Sequence, residues 1–240
     1  MRTIGLIGGM SWESTVTYYA AINAGVRDRV GDGLASAKIL LHSVNFAEIV
    51  AMQKADRWDL AAAALGDAAK GLARAGADCV LICTNTMHLV ADAVEAAAGV
   101  PLIHIVDATG AALRARGAKR PLLLATRYTM EQPFYAERLA AKSGLDATIP
   151  DAAERDLLHA VIFDELCQGV VRDASRQAFR EIIARHAARG ADSVILGCTE
   201  IGLLIGAQDS PLPVFDSTPI HAAAAVDFAL ADAPVAGCAA

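Results

Sequence analysis

One stretch of this chain occurs twice. Gly76-Ala77-Asp78-Cys79-Val80-Leu81-Ile82-Cys83-Thr84 is echoed by Gly190-Ala191-Asp192-Ser193-Val194-Ile195-Leu196-Gly197-Cys198-Thr199. Each copy has a glycine suited to a helix end, then Ala-Asp, an apolar run of strand length, and Cys-Thr. Asp78 and Asp192 lie 114 residues apart, whereas Cys83 and Cys198 lie 115 apart, so one residue is inserted late in the second copy. A β-like run opens each half, Ile4–Ile7 in one and Leu122–Ala125 in the other. A helix end, a tripeptide, a strand and a cysteine matching together imply two related halves.

Both halves alternate short apolar runs with longer helical stretches, the pattern of an α/β protein with mostly parallel sheets. The runs at 3–7, 38–44, 79–82, 102–105, 122–125, 147–149, 193–196 and 214–215 read as strands. Most are apolar on both faces, as expected where helices cover a sheet on two sides. Helices are expected over 56–75, 154–170, 174–189 and 219–230, with Pro219 in the first turn of the last. The expected fold class is therefore α/β, with two pseudo-symmetric halves and a site in the cleft between them. Residues 1–115 with 216–240 form the first half, and 116–215 the second. At 240 residues, 55% hydrophobic but only 5% aromatic, the chain is long enough for such a core, and its alanine favours closely packed helices.

Composition removes several classes of function. Twenty-one basic against 27 acidic residues leave a net charge of −6, and no basic face stands out for a nucleic acid. Gly, Asp, Lys and Arg interrupt every apolar run before it reaches membrane-spanning length. The N-terminus runs directly into a strand, without a basic region and cleavable apolar segment, so a cytoplasmic location is expected. Five cysteines, at 79, 83, 167, 198 and 238, are an odd number with no CxxC spacing, which suits neither a disulfide framework nor a thioredoxin-like centre. Cys79, Cys83 and His88 do not have the spacing of a metal site, so no metal is expected. His42, His88, His104 and His221 are scattered at element edges and read as satisfied polar residues. Gly5-x-x-Gly8-Gly9 is not the dinucleotide fingerprint. The five lysines, 38, 54, 70, 119 and 142, form no evident pyridoxal phosphate constellation. No cofactor is expected.

Two cysteines remain for chemistry. Functional groups of parallel sheets gather at the carboxyl ends of strands, where Cys83 and Cys198 both fall. A thiol at a helix N-terminus is expected to be pushed toward thiolate by the positive end of the dipole. If the halves are related by a pseudo-twofold axis, one thiol faces each side of a shared substrate. One then removes a proton from a carbon while the other delivers one from the opposite face. Helix N-termini and threonine hydroxyls are available to hold a carboxylate. Cys79 reads as a buried small hydrophobe within a strand, Cys167 as core or surface, and Cys238 as an unconstrained tail residue.

The segments Gly5–Ser14 (GLIGGMSWES), Cys83–His88 (CTNTMH) and Gly197–Gly202 (GCTEIG) resemble those of the aspartate/glutamate racemase family, and more narrowly its bacterial aspartate-racemase and broad-specificity amino-acid-racemase branch. Thr126–Glu131 and Pro213–Asp216 also fit, so the resemblance spans nearly the whole chain. It implies a cofactor-independent, two-base amino-acid racemase with Cys83 and Cys198 as the acid/base pair. It further implies substrate contacts from Met10, Gln53, Thr84, Asn85, Thr86, Thr199 and Glu200, with Thr126 and Thr129 in the second half. Glutamate-specific members carry an Asp-Ser-Gly type first loop and a histidine after the second Cys-Thr. Gly9-Met10-Ser11 and Glu200 depart from that pattern and argue against glutamate racemase proper.

Two carboxylates, Glu165 and Glu200, are available to poise the thiols or receive the substrate ammonium, and Glu165 reads equally as a helix-surface acid. Gln53 is neutral and its neighbourhood offers no clear arginine clamp for a side-chain carboxylate, which suggests specificity wider than aspartate. The partner expected is a small free amino acid, with no nucleic acid and no membrane. A homodimer is expected from the alanine-rich helices and the family. Two rivals stand beside racemisation: a decarboxylase or lyase that uses one protonating cysteine, and a non-catalytic amino-acid-binding protein.

Overall fold

The computed structural model describes residues 1–231, so Cys238 lies outside them. Contacts divide the chain into two units. Met1–Cys83, Val90–His104 and the segment from His221 form the first; Thr84–Leu89 and Ile105–Ile220 form the second.

In the first unit, β1 (Ile4–Gly8) lies between β2 (Ile39–Ser43) and β3 (Cys79–Ile82), all parallel. Beyond β3, Leu102 adds a single parallel bridge to Val80. Four helices belong to this unit: α1 (Trp12–Val30), α2 (Phe46–Lys54), α3 (Trp58–Arg74) and α4 (Ala91–Ala98). In the second unit, β4 (Pro121–Leu124), β5 (Ser193–Leu196) and β6 (Val214–Asp216) are again parallel, in the order β4-β5-β6, and Thr148 bridges to Leu122 on the other side of β4. Its helices are α5 (Ile105–Ala115), α6 (Arg127–Glu131), α7 (Pro133–Ser143), α8 (Ala152–Asp164) and α9 (Asp173–Ala188). The last helix, α10 (Ser217–Leu230), starts in the second unit and continues in the first. With the single bridges counted, the first strand of each unit lies between the next chain segment on one side and the third on the other. The duplication read from sequence is a duplication of topology.

The repeated Gly-Ala-Asp fastens strands together. Asp78 accepts the Thr3 N–H at 2.6 Å, just ahead of β1. Asp192 accepts the Lys119 and Arg120 N–H groups at 2.7 and 3.0 Å, just ahead of β4. Each aspartate therefore ties the start of a central strand to the start of the strand beside it. Burial alone raises the Asp192 carboxyl, but the two backbone N–H groups and the Ser193 hydroxyl outweigh it and hold the group below its ordinary value.

The inserted residue is Gly197. The Cys83 N–H bonds the Ile7 carbonyl at 2.9 Å, and in the second unit the same ladder position, the Leu124 carbonyl, is taken by the Gly197 N–H at 2.7 Å. A Cβ on Gly197 would stand 2.6 Å from Leu123 Cδ1 and 3.2 Å from the Ala125 Cβ. A side chain here would crowd Leu123 and Ala125, and Cys198 follows one residue later than the ladder position of Cys83.

Several elements differ from expectation. The runs at 102–105 and 147–149 contribute single bridges rather than strands, because α5 already begins at Ile105 and Pro150 follows the other run. The helix expected over 154–170 ends at Asp164; a short 3₁₀ turn, Leu166–Gln168, then closes on Gly169 at φ +72°. The helix expected from Pro219 starts at Ser217. Among the described residues, no helix is long and apolar enough to cross a membrane.

The first unit's core joins α1 to α10. Tyr18, Ile22 and Val26 pack with Ala222, Ala225, Val226 and Ala229 over Cys79, Leu81 and Cys83. His221 is fully buried among them. Its Nε2–H donates to the Ile103 carbonyl at 2.7 Å, which leaves Nδ1 to accept from the Tyr18 hydroxyl at 2.8 Å. Burial, partly offset by the Ile103 carbonyl, lowers its pKa to about 4.

Stability therefore depends on pH through His221 and, in the second unit, on the space at Gly197. His221 is neutral in the folded chain, whereas an unfolded histidine binds a proton below about pH 6.5, so stability falls as pH drops from about 6.5 toward 4. In urea unfolding, the wild-type protein should lose about 2 kcal/mol more than His221→Gln between pH 7 and pH 5; equal losses would remove His221 as the cause. Gly197→Ala should cost about 1–3 kcal/mol through overpacking against Leu123 and Ala125, read as a lower urea midpoint with an unchanged m-value.

Candidate functional site

The turn after β1 is set by glycine. A side chain on Gly8 would strike Thr15 and meet Leu41 Cδ1 at 3.0 Å, and Gly9 has φ +87° with Val44 pressed against it. This close approach lets Thr15 clamp the turn: its hydroxyl accepts the Gly9 N–H at 2.8 Å and donates to the Ser11 carbonyl at 2.8 Å. Ser11 in turn caps α1 by accepting the Ser14 N–H. Met10 is held, buried, on this fixed turn. Gln53, on the last turn of α2, is also buried, as is Cys83 directly after β3. These three are the first unit's share of the candidate residues.

The second unit gathers the others into small networks. Thr126 is the N-cap of α6 and accepts the Thr129 N–H at 3.3 Å. Its hydroxyl and those of Thr86 and Thr129 form a closed triangle with sides of 2.9 to 3.2 Å. Residues forty positions apart are thus joined by hydroxyls that can each donate or accept.

Asn85 makes a contact not anticipated from sequence. Its Nδ2 donates to the Ser217 hydroxyl at 3.0 Å, and that hydroxyl donates to the Leu196 carbonyl at 2.7 Å. The serine's only proton is committed to Leu196, so it must accept from Asn85, which fixes the orientation of the amide. In the sequence Ser217 is legible only as part of a helix start. His88 is similarly determined: Nε2 accepts the Ile105 N–H at 3.2 Å, so Nδ1 carries the proton donated to the Thr84 carbonyl at 2.8 Å. With both ring nitrogens engaged, His88 braces the 84–89 turn.

At the end of β5, Glu200 receives two hydrogen bonds on one oxygen. Cys198 Sγ donates to Oε2 at 2.9 Å and the Thr199 hydroxyl donates to the same atom at 2.7 Å. All three residues are buried. Glu165 lies elsewhere in the unit's network: it accepts the Ser175 hydroxyl at 2.6 Å and sits 3.7 Å from Arg172, tying the end of α8 to the start of α9.

The expectation of thiols shifted toward thiolate is not met. Burial raises the Cys83 thiol well above its ordinary value. Burial also raises Cys198, and the adjacent Glu200 carboxylate adds to the effect. The physical reason lies in the elements that follow. Neither cysteine opens an α-helix: Cys83 leads to a 3₁₀ turn at Thr86–Val90, and Cys198 to one at Ile201–Leu203. A turn or so of 3₁₀ helix carries little dipole, so desolvation prevails. The resting groups are thiols, and Cys198 already points its proton at a carboxylate. Cys79, fully buried in β3, is raised by burial to about 12. Among the described residues, no three His, Cys, Asp or Glu side chains converge as a metal site would need.

Known proteins resemble this chain along most of its length. The family model for Asp/Glu/hydantoin racemases matches residues 7–225. The broad specificity amino-acid racemase RacX of Bacillus subtilis (strain 168) is 27% identical over 171 residues, 70% of this chain and 72% of its own. A crystal structure from Yersinia pestis, described as that of a proposed Asp/Glu racemase, is 50% identical with a TM-score of 0.89, covering 96% of this chain and 100% of the other. An aspartate racemase homologue from Pyrococcus horikoshii OT3 is 34% identical with a TM-score of 0.81, covering 95% and 99%. A duplicated α/β topology, cysteines after the corresponding strands, and a family match across 7–225 converge on one conclusion: the chain belongs to the Asp/Glu/hydantoin racemase family.

Proposed function

We propose that this protein interconverts the L and D forms of a free amino acid by two-base proton transfer, with Cys83 and Cys198 as the acid/base pair and no cofactor. The observation that carries the reading is the hydrogen bond from the Cys198 thiol to Glu200 in a buried setting, on a chain whose other half repeats the strand-then-cysteine arrangement. Inversion needs one group that takes the Cα proton and a second that donates from the opposite face. Two buried thiols cannot do this unless one becomes thiolate. Glu200 supplies a route: it accepts the Cys198 proton, the thiolate removes the Cα proton, and the Cys83 thiol protonates the resulting carbanion from the other face. These steps leave Glu200 protonated and Cys83 as thiolate; after product leaves, solvent relays the Glu200 proton back to Cys83, and the opposite enantiomer runs the same steps in reverse.

The hydroxyls of Thr86, Thr126, Thr129 and Thr199, with Thr84 and the Asn85 amide, are the groups suited to a carboxylate and to the charge that develops on it. Met10 and Gln53 provide neutral contacts. In this reading Glu165 serves the α8–α9 junction rather than the reacting carbon. The neutral Gln53 and the likeness to a broad specificity racemase favour several amino acids over aspartate alone.

Two experiments test the proposal. Purified protein is incubated with individual L-amino acids in heavy water and the products are resolved on a chiral column. At early times the D product should carry one deuterium at Cα while recovered L substrate stays unlabelled, and Cys83→Ser or Cys198→Ser should each abolish inversion. Decarboxylated product that survives either single change indicates a lyase, and tight binding without any Cα label indicates a binding protein. Glu200→Gln cannot receive the Cys198 proton, so kcat/KM should fall by about 10²-fold or more. Enantiomers of a free amino acid have equal energy, so the loss must be the same measured from L or from D. A wild-type rate in this variant would eliminate the proton route through Glu200.

A further inference from the structure

The second unit contains a cavity of about 920 Å³ that none of the residues assigned to the reaction lines. Its wall comes from the end of α5, from β6, from the turn after β5 and from the first turn of α10. Most of that wall is apolar, with Ile205, Val214 and Ile220 among its side chains. A hollow of this size suits an organic molecule. Two charges interrupt the wall, the half-buried Asp216 and the exposed Arg116. Neither is ion-paired among the described residues. Asp216 Oδ1 accepts the Thr218 N–H at 2.9 Å, while Oδ2 borders Gly202, where any side chain would strike it. Burial raises this carboxyl to about 6, and no neighbouring cation brings it down. A carboxylate without a cation suits a ligand's ammonium, and a guanidinium without an acid suits a carboxylate.

The fold sets these charges at opposite ends of β6. Strands β4, β5 and β6 are parallel, so all three start at one end of the sheet. Helix α5 packs against β6, and only the short turn 116–120 joins it to the start of β4. Arg116 therefore lies toward the start of β6, whereas Asp216 is its last residue. The run from Pro213 to Asp216 separates these ends by about 10 Å. Strand β6 is also the edge of its sheet: among the described residues it pairs with β5 and with no strand or bridge on its other side. The Val194 N–H donates to the Pro213 carbonyl at 2.9 Å. Alternation along the strand then turns the N–H and C=O of Val214 to the open side, where they offer one rung to an extended chain. A single residue exchanges both bonds with Val214 only if the two chains run antiparallel. That direction also brings a peptide's N-terminus to Asp216 and its C-terminus toward Arg116, so hydrogen bonds and charges agree. At about 3.3 Å per residue, three residues span the distance, and a free amino acid is too short to meet both charges. We infer that this cavity binds a short apolar peptide of about three residues, laid antiparallel along the edge of β6 with its ammonium on Asp216 and its carboxylate toward Arg116.

Isothermal titration calorimetry of the full chain with alanyl-leucyl-alanine tests this without reference to catalysis. The peptide with free termini should bind saturably at one site per chain. Acetylating its N-terminus, or amidating its C-terminus, should each weaken binding about tenfold or more. Asp216→Asn keeps an acceptor for the Thr218 N–H, and it should cost the free peptide about tenfold but the acetylated peptide little. Ala115→Trp, at an exposed position of the wall, should fill the groove and abolish binding while the circular dichroism spectrum is retained. Excess free leucine should not displace the peptide. No binding, binding indifferent to acetylation, or binding that survives both Asp216→Asn and Ala115→Trp would each overturn the inference. So would displacement by leucine, which would put the peptide at the amino-acid site of the proposed reaction. Racemisation measured on the same samples reports separately on that reaction.

Discussion

The last rung of each ladder decides where the two repeated cysteines stand. In the first unit the Ile7 carbonyl takes the Cys83 N–H; in the second the Leu124 carbonyl takes the Gly197 N–H. These bonds form where strands buried on both faces run out and the chain must turn, which places polar groups beside fully apolar walls. Asp78 and Asp192 secure the opposite ends of the same ladders by accepting backbone N–H groups ahead of β1 and β4. Strand start and strand finish are thus both pinned, and the residues just beyond the finish inherit positions the backbone cannot readily vary.

Burial at those positions governs the acid–base behaviour. A cysteine in water is already a weak acid, and removing it from water weakens it further. Cys83 experiences burial alone, whereas Cys198 has a carboxylate within hydrogen-bonding reach. The two thiols are therefore chemically unlike, although the fold repeats. Glu200 disfavours a second negative charge at the Cys198 sulfur.

Much of this is legible in the residues, and the limits of legibility have physical causes. The duplicated Gly-Ala-Asp…Cys-Thr reveals both sheets because each residue acts locally, as a helix end, a fastening carboxylate or part of a buried strand. The runs at 102–105 and 147–149 mislead, since apolar runs bounded by turns look alike whether they form a full ladder or a single bridge. Helix α8 stops six residues short of its expected end because Glu165 and Ser175 bind the chain into a new direction, a contact between residues ten apart that periodicity does not encode. Ser217 and His88 escape a reading of the sequence for a similar reason. Their importance lies in which partner already holds their proton, and that depends on Leu196, Asn85, Thr84 and Ile105, gathered from distant parts of the chain. The expectation of acidic thiols fails because it assumes α-helices where the chain makes short 3₁₀ turns.

Gly197 makes the halves non-interchangeable. Cys83 packs in one core with Cys79 and Leu81 directly after β3, whereas Cys198 lies one residue beyond the equivalent ladder position, in the bend after β5. A chimera that replaced one strand-and-thiol module with its counterpart, or a deletion that trimmed the glycine to perfect the repeat, would move the sulfur by one residue relative to the last rung of its ladder. Resemblance between the halves is therefore a guide to their ancestry in topology, but a poor template for redesign.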